Sequence, residues 1–189
     1  VDFSLKKMPG SSMSHFFSNS MIDLDLNGFN SSNLEINLEK TSNNTYLKTN
    51  NIKASQNFNA STLNSSLNFN ASKENLDVSI DFQVYEDLSL ERNSDKYQYV
   101  YPSFTISKNL DTAFNKYGSF DYRASGFQKK SDTNISERSF TNDIDFLSKP
   151  FFRKSGIRND FNLLFKNINH DAKNSSTYKD ELSSSLYTS

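Results

Sequence analysis

Two pairs of carboxylates are the residues of this chain best spaced for chemistry. Asp77 and Asp81 share one face of an extended segment, and Asp143 and Asp145 share another. Paired carboxylates hydrolyse glycosides when one is held protonated in an apolar pocket and the other stays ionised. Nothing around either pair marks one member as buried, and a solvated strand face accounts for both. His15 and His170 are the only histidines. Neither has a second His four residues on or a Glu at zinc-site spacing, so both read as ordinary loop histidines. There is no Cys, which removes thiolate sites and disulfides. No Gly-rich phosphate loop, G-x-S-x-G elbow or Ser/His/Asp cluster occurs. The sequence therefore assigns no catalytic residue, no metal ligand and no cofactor, and the expectation is a protein that is not an enzyme.

Binding signals are equally sparse. N-x-S/T sequons occur at Asn30, Asn43, Asn59, Asn64, Asn70, Asn134 and Asn174, but 25 Asn and 32 Ser produce nearly that many by composition alone. The basic pairs Lys6-Lys7 and Lys129-Lys130 are too short for a nucleic-acid or anionic-lipid patch and read as loop charges. Net charge is −1, so no basic field for nucleic acid exists.

The elements carrying these residues are more informative. Residues 76–84 alternate without an error: Leu76, Val78, Ile80, Phe82 and Val84 point one way, and Asp77, Ser79, Asp81 and Gln83 the other. A side-chain period of two makes this a strand with one apolar and one wet face. Similar segments are expected at 20–26, 32–41, 62–70, 97–107, 118–128, 134–147, 158–168 and 177–187. Residues 1–19 read as irregular, with a turn at Pro9-Gly10. Asn27-Gly28 and the run from Thr41 to Thr45 read as turns. Residues 50–60 are ambiguous, 91–95 form a loop, and 108–117 admit a helical turn through Leu110, Ala113, Phe114 and Tyr117. With Gly and Pro scarce, Asn, Asp and Ser are expected to make the turns. The fold class is all-β, an antiparallel up-and-down meander, with residues 1–189 forming one domain cut from something longer.

Two architectures share that pattern. Apolar residues are 34% of the chain, below the ~45–50% of a typical soluble domain. No apolar run approaches the ~18 residues of a spanning helix, and the N-terminus lacks a signal-length apolar stretch. Periodicity alone leaves a soluble sandwich and a membrane barrel equally open. Strand lengths near the ~9–11 residues of a membrane-crossing strand favour part of a large transmembrane β-barrel. Tyr97, Tyr99, Tyr101, Phe151 and Phe152 near strand ends suit its aromatic girdles.

Several segments also resemble one family in their order. The stretch from Glu39 to Lys48 resembles a barrel hairpin of the lipopolysaccharide-assembly protein LptD (organic solvent tolerance protein), which commonly reads arginine-x-Ser-Asp-x-x-Tyr-Leu. Lys40 stands near its basic position, and Asn43 replaces the usual Asp. The stretch from Asp95 to Ser103, Gly118-Ser119-Phe120, the stretch from Asn142 to Phe146, Ser155-Gly156-Ile157 and the stretch from Phe161 to Asn169 follow in the family's order. The resemblance covers roughly residues 15–180.

The resemblance implies the middle of an outer-membrane barrel in a Gram-negative cell. Its cargo is lipopolysaccharide and its surroundings are outer-membrane lipid. Its partners are an LptE-like lipoprotein plug and a periplasmic Lpt bridge protein, the latter docking outside this segment. No chemistry is performed, and no ligand-contacting residue is assigned. Asp77, Asp81, Lys96, Gln98, Asp143 and Asp145 would face a hydrated lumen. The alternatives are a secreted β-sandwich adhesin or carbohydrate-binding module, and a porin-like barrel.

Overall fold

The computed structural model describes residues 1–8, 11–50, 61–90, 94–110 and 115–188. Its strands in chain order are β1 (Asp2–Met8), β2 (Ser11–Asp23), β3 (Ser31–Thr41), β4 (Thr62–Lys73), β5 (Leu76–Asp87), β6 (Tyr97–Leu110), β7 (Gly118–Ser131) and β8 (Ser136–Ser148). A small separate hairpin, β9 (Phe151–Phe152) with β10 (Arg158–Asn159), precedes β11 (Asn162–Lys173) and β12 (Glu181–Thr188). The other ten strands form one antiparallel sheet in sequence order. The fold is thus an all-β meander. It is not closed: β1 and β12 are edges, and they are not paired with each other.

Five strands lie where the alternation placed them, extended by one to three residues, while β8 and β12 begin two and four residues later than expected. Four differences have physical causes. Residues 2–8 and 11–19 are strand rather than irregular chain, and the strand expected at 20–26 runs instead from 11 to 23. β2 carries apolar residues on both faces (Phe16 and Ile22, Phe17 and Met21), which hides its period. The segment at 158–168 is divided, because Asp160 and Phe161 interrupt the ladder between β10 and β11. After the turn from Thr41 to Thr45 the chain enters a one-turn helix, α1 (Tyr46–Thr49), too short to show a period in the sequence. Its entry is an Asx turn in which Asn43 Oδ1 accepts the Thr45 N–H and Oγ1, both at 2.8 Å. Finally, β6 continues to Leu110 where a helical turn was conceivable. Ala113 and Phe114 of that reading, the Pro9-Gly10 turn, Asn59 and most of 50–60 lie outside the described residues.

Asn and Asp do take over turn duty. Asp25, Asn134 and Asn174 adopt positive φ (45°, 65° and 56°), a region these short polar side chains tolerate.

Register fixes which residues share a face, since partners in an antiparallel ladder point the same way. Leu34 pairs with Ile22 and Phe69, Phe69 with Ile80, Ile80 with Phe104, and Phe104 with Gly126. One apolar face therefore runs across the sheet. One irregularity protects it. Along β6 the apolar residues change phase, from Tyr97 and Tyr99 to Phe104 and Ile106. One extra residue of β6 near Pro102 is absorbed against both β5 and β7. Proline has no N–H to give a ladder, so the bulge sits where least is lost.

The single layer has no second sheet over it among the described residues. Phe82, Phe140, Phe165 and Leu186 of the apolar face are exposed. A small enclosed cluster of Phe17, Tyr46, Leu47, Leu63 and Leu88 sits where α1 folds against the sheet.

Gly126 lies between Phe104 and Phe140, the register partners on either side of it, and those rings approach to 6.1 Å across it. A Cβ there would meet the Ser139 carbonyl oxygen at 2.6 Å and the Phe104 ring at 3.0 Å. Gly126→Ala is expected to cost about 1–3 kcal/mol of stability, while Ser125→Ala, on the opposite face, should cost much less. Urea midpoints of the two variants in detergent check this, and equal midpoints would contradict the packing.

Candidate functional site

The functional surface of a one-layer sheet is its two faces. The polar face carries Asp77, Asp81, Gln98, Asp143 and Asp145, as the alternation placed them. Asp77, Asp143 and Asp145 come together with Asp121 and Arg123 around an open cleft of about 440 Å³. Asp81 is four residues along β5 from Asp77, roughly 13 Å at strand rise, too far to act with it as a hydrolytic pair. Within the cleft Asp143 is bound by Lys166 at 3.3 Å. Asp121 and Asp145 are direct cross-strand partners of like charge, an arrangement that destabilises a sheet unless water screens it.

Lys96 departs from the expected set. It precedes β6, so strand parity does not govern it, and its Nζ turns to Glu86 (3.2 Å) and Asn44 Oδ1 (2.8 Å). Glu86 is buried at the end of the apolar face and also binds Lys40 Nζ at 2.8 Å. Tyr97 Oη donates to Glu86 at 2.9 Å, and both lysines lie over the Tyr97 ring. The cluster joins β3, β5 and β6 at one rim, beside Tyr97 stacked on Tyr99 and Tyr101 set edge-on to Tyr99. At the opposite rim Phe120, Phe146 and Phe161 pack ring to ring, at 4.4 and 5.8 Å. Phe151 and Phe152 stand exposed on the small hairpin.

The two histidines are strand residues, not loop residues. His15 is on the polar face of β2 and buried, 3.3 Å from Tyr46 Oη and 3.4 Å from Asp2. Tyr46 Oη also donates to Ser4 Oγ at 3.3 Å. The Tyr46-Leu47 step is thus a packing anchor that fixes α1 to β1 and β2. His170 packs against Tyr178 at a tilt, with ring centroids 5.3 Å apart. Lys129 and Lys130 lie at the end of β7 rather than in a loop, and point to opposite faces. The side chains of Lys6 and Lys7, in β1, lie outside the described residues. The sequons at Asn64 and Asn70 fall in β4, those at Asn134 and Asn174 in turns.

Register exposes a signal that single segments hide: charge is sorted by face. Among described side chains of the ten-stranded sheet, the polar face bears twelve carboxylates and three cations, Arg123, Lys129 and Lys166. Two of those cations are paired, with Glu137 and Asp143. The apolar face reverses the balance, with more cations than acids. Every ionisable Asp, Glu, Lys or Arg on it lies within two residues of a strand end. Its middle is charge-free. Neutral polar groups there bind one another: Tyr122 Oη donates to Asn142 Oδ1 at 2.8 Å, and Asn167 Nδ2 to Ser184 Oγ at 3.0 Å.

No family model, curated protein or solved structure matches this chain.

Glu86 holds two lysines of unequal exposure, Lys40 at 61% and Lys96 at 12%. Glu86→Ala strands the enclosed Lys96 charge and is expected to cost about 3 kcal/mol. Lys40→Met removes only the exposed partner and should cost under about 1 kcal/mol. Chemical unfolding of both variants in detergent measures the difference; equal losses would show that Glu86 is not the centre of the cluster.

Proposed function

We propose that this chain is a length of wall from a large outer-membrane β-barrel of the LptD type, which delivers lipopolysaccharide to the outer leaflet. The observation that carries the membrane part is the uncovered apolar face, charge-free in its middle and bounded by aromatics at both rims. Ten residues of β7 separate Lys130, the partner of Tyr99, from Phe120. That is about 33 Å along the strand and about 25 Å at the ~40° tilt of such walls, the height of their apolar band. The LptD part rests on the order of the resembling segments. In this reading the polar face lines a hydrated lumen, occupied by an LptE-like plug and crossed by the sugars of the cargo. The periplasmic bridge docks elsewhere.

The acidity of the polar face favours a second reading in the same wall. A lumen lined with carboxylates passes cations, so a porin-like barrel would be cation-selective. The two are separable. Depleting a lipopolysaccharide inserter removes lipopolysaccharide from the cell surface, whereas depleting a porin lowers solute permeability and leaves the surface intact. Surface lipopolysaccharide unchanged on depletion would sink the transport reading.

The wall itself is tested by one pair of variants in the full-length protein. Ile80 faces the apolar side, and Ser79 faces the lumen side, where it donates to Asn70 Oδ1 at 2.8 Å. Ile80→Arg is expected to cost about 2–4 kcal/mol at mid-membrane depth and to lower the amount of assembled barrel. Ser79→Arg should be clearly milder. Heat-modifiable mobility of the barrel in outer-membrane fractions reads both, and indistinguishable assembly would count against a lipid-facing sheet.

A further inference from the structure

The cations of the apolar face are Lys40, Lys73, Lys108, Lys130, Arg138 and Lys173, and all six are exposed. Its acids are only Glu86 and Asp171, and each is already engaged, by Lys40 and Lys96 and by Arg138. Lys73, Lys108, Lys130 and Lys173 have no ion-pair partner among the described residues. Their positions are not scattered. Lys73, Leu76, Lys108 and Tyr122 form one row across four strands, at one rim. Lys130, Ser136 and Lys173 form a row at the other, next to Tyr99. On β7 eight residues separate Tyr122 from Lys130, about 26 Å along the strand and about 20 Å of height at a ~40° tilt. Lysine stems lie along apolar surface and carry the ammonium outward, which takes both rows past the hydrocarbon edge.

We propose that these two lysine rows bind the phosphates of membrane lipid headgroups, so that the wall selects anionic lipids around itself at both rims. The inference rests on the membrane-wall reading. The argument for this occupant is charge complementarity. Free cations flank an apolar face on both sides, beside amphipathic aromatics, while all acids but the paired Glu86 and Asp171 lie on the other face. A soluble protein partner would need an apolar centre with acidic margins in two parallel lines about a membrane thickness apart. A bilayer rich in anionic lipid supplies that arrangement without design.

The test uses the full-length protein reconstituted in phosphatidylcholine vesicles, with trace spin-labelled phosphatidylglycerol or spin-labelled phosphatidylcholine. The motionally restricted fraction of each label reports lipid at the protein surface. Phosphatidylglycerol should be preferred about fivefold at the lysine positions, and the preference should fall as salt rises. Lys73→Gln, Lys108→Gln, Lys130→Gln and Lys173→Gln combined should bring the two labels to parity. The matching lysine-to-arginine set should keep the preference. If the fourfold glutamine variant does not assemble, Lys73→Gln with Lys108→Gln should halve the preference. No restricted lipid of either kind would overturn the membrane wall itself. Restricted lipid without headgroup preference, or a preference surviving in the glutamine variants, would leave the wall standing and overturn this inference. Displacement of the label by inorganic phosphate at constant ionic strength would likewise overturn it, as the rows would then be sites for a free anion.

Discussion

Register is the constraint on which the rest of the molecule depends. A strand shows its side chains alternately to two faces, so a slip of one residue would move a whole apolar set to the wet side. Ten strands here keep one phase. The one strand whose sequence changes phase, β6, absorbs its extra residue at Pro102, against both neighbours at once. Without that bulge either the Tyr97-Tyr99 pair or the Phe104-Ile106 pair would lie among the carboxylates. The aromatic rim, the Phe104–Gly126–Phe140 contact and the charge sorting all follow from correct phase in β6.

How much of this was legible depended on local contrast. β5 is readable from sequence because every one of nine successive residues agrees with the pattern. β2 is not, because His15 and Phe17 are buried on the polar side under α1, so its apolar residues fall on both faces. β1 does alternate, Phe3 and Leu5 against Asp2 and Ser4, but four residues beside a Pro-Gly step give little signal. Strand parity does not reach Lys96, because β6 begins at Tyr97 and the residue before it is free to turn to Glu86. The face-wise sorting of charge was invisible for another reason. No strand contributes more than four charges to it, and they add up only once the partners of every strand are known.

The low apolar content finds a physical account in the single layer. A sandwich buries two apolar faces against each other and draws its stability from that contact. Here one face of one sheet carries the apolar residues, and among the described residues the enclosed cluster is confined to the α1 corner. A sheet of this kind in water would leave a contiguous apolar surface far beyond what soluble monomers show. The proposed lipid-facing wall removes that cost, and in it neutral polar groups such as Asn142 and Asn167 have to be bound to neighbours, as they are.

The acidic face bears on the size of the proposed barrel. Small closed barrels fill their interior with side chains, and a filled interior would take twelve carboxylates out of water with only three cations beside them. Burying even one unpaired carboxylate is costly, and the Asp121–Asp145 pair would repel at short range in a low dielectric. These residues are tolerable only where water and counter-ions reach them. In the proposed wall the sheet curves around a wide aqueous space, which a small barrel with side chains meeting across it would not leave. In that reading the acids lie on the face that lipid does not touch, and a wet lumen and a large strand number are one physical requirement.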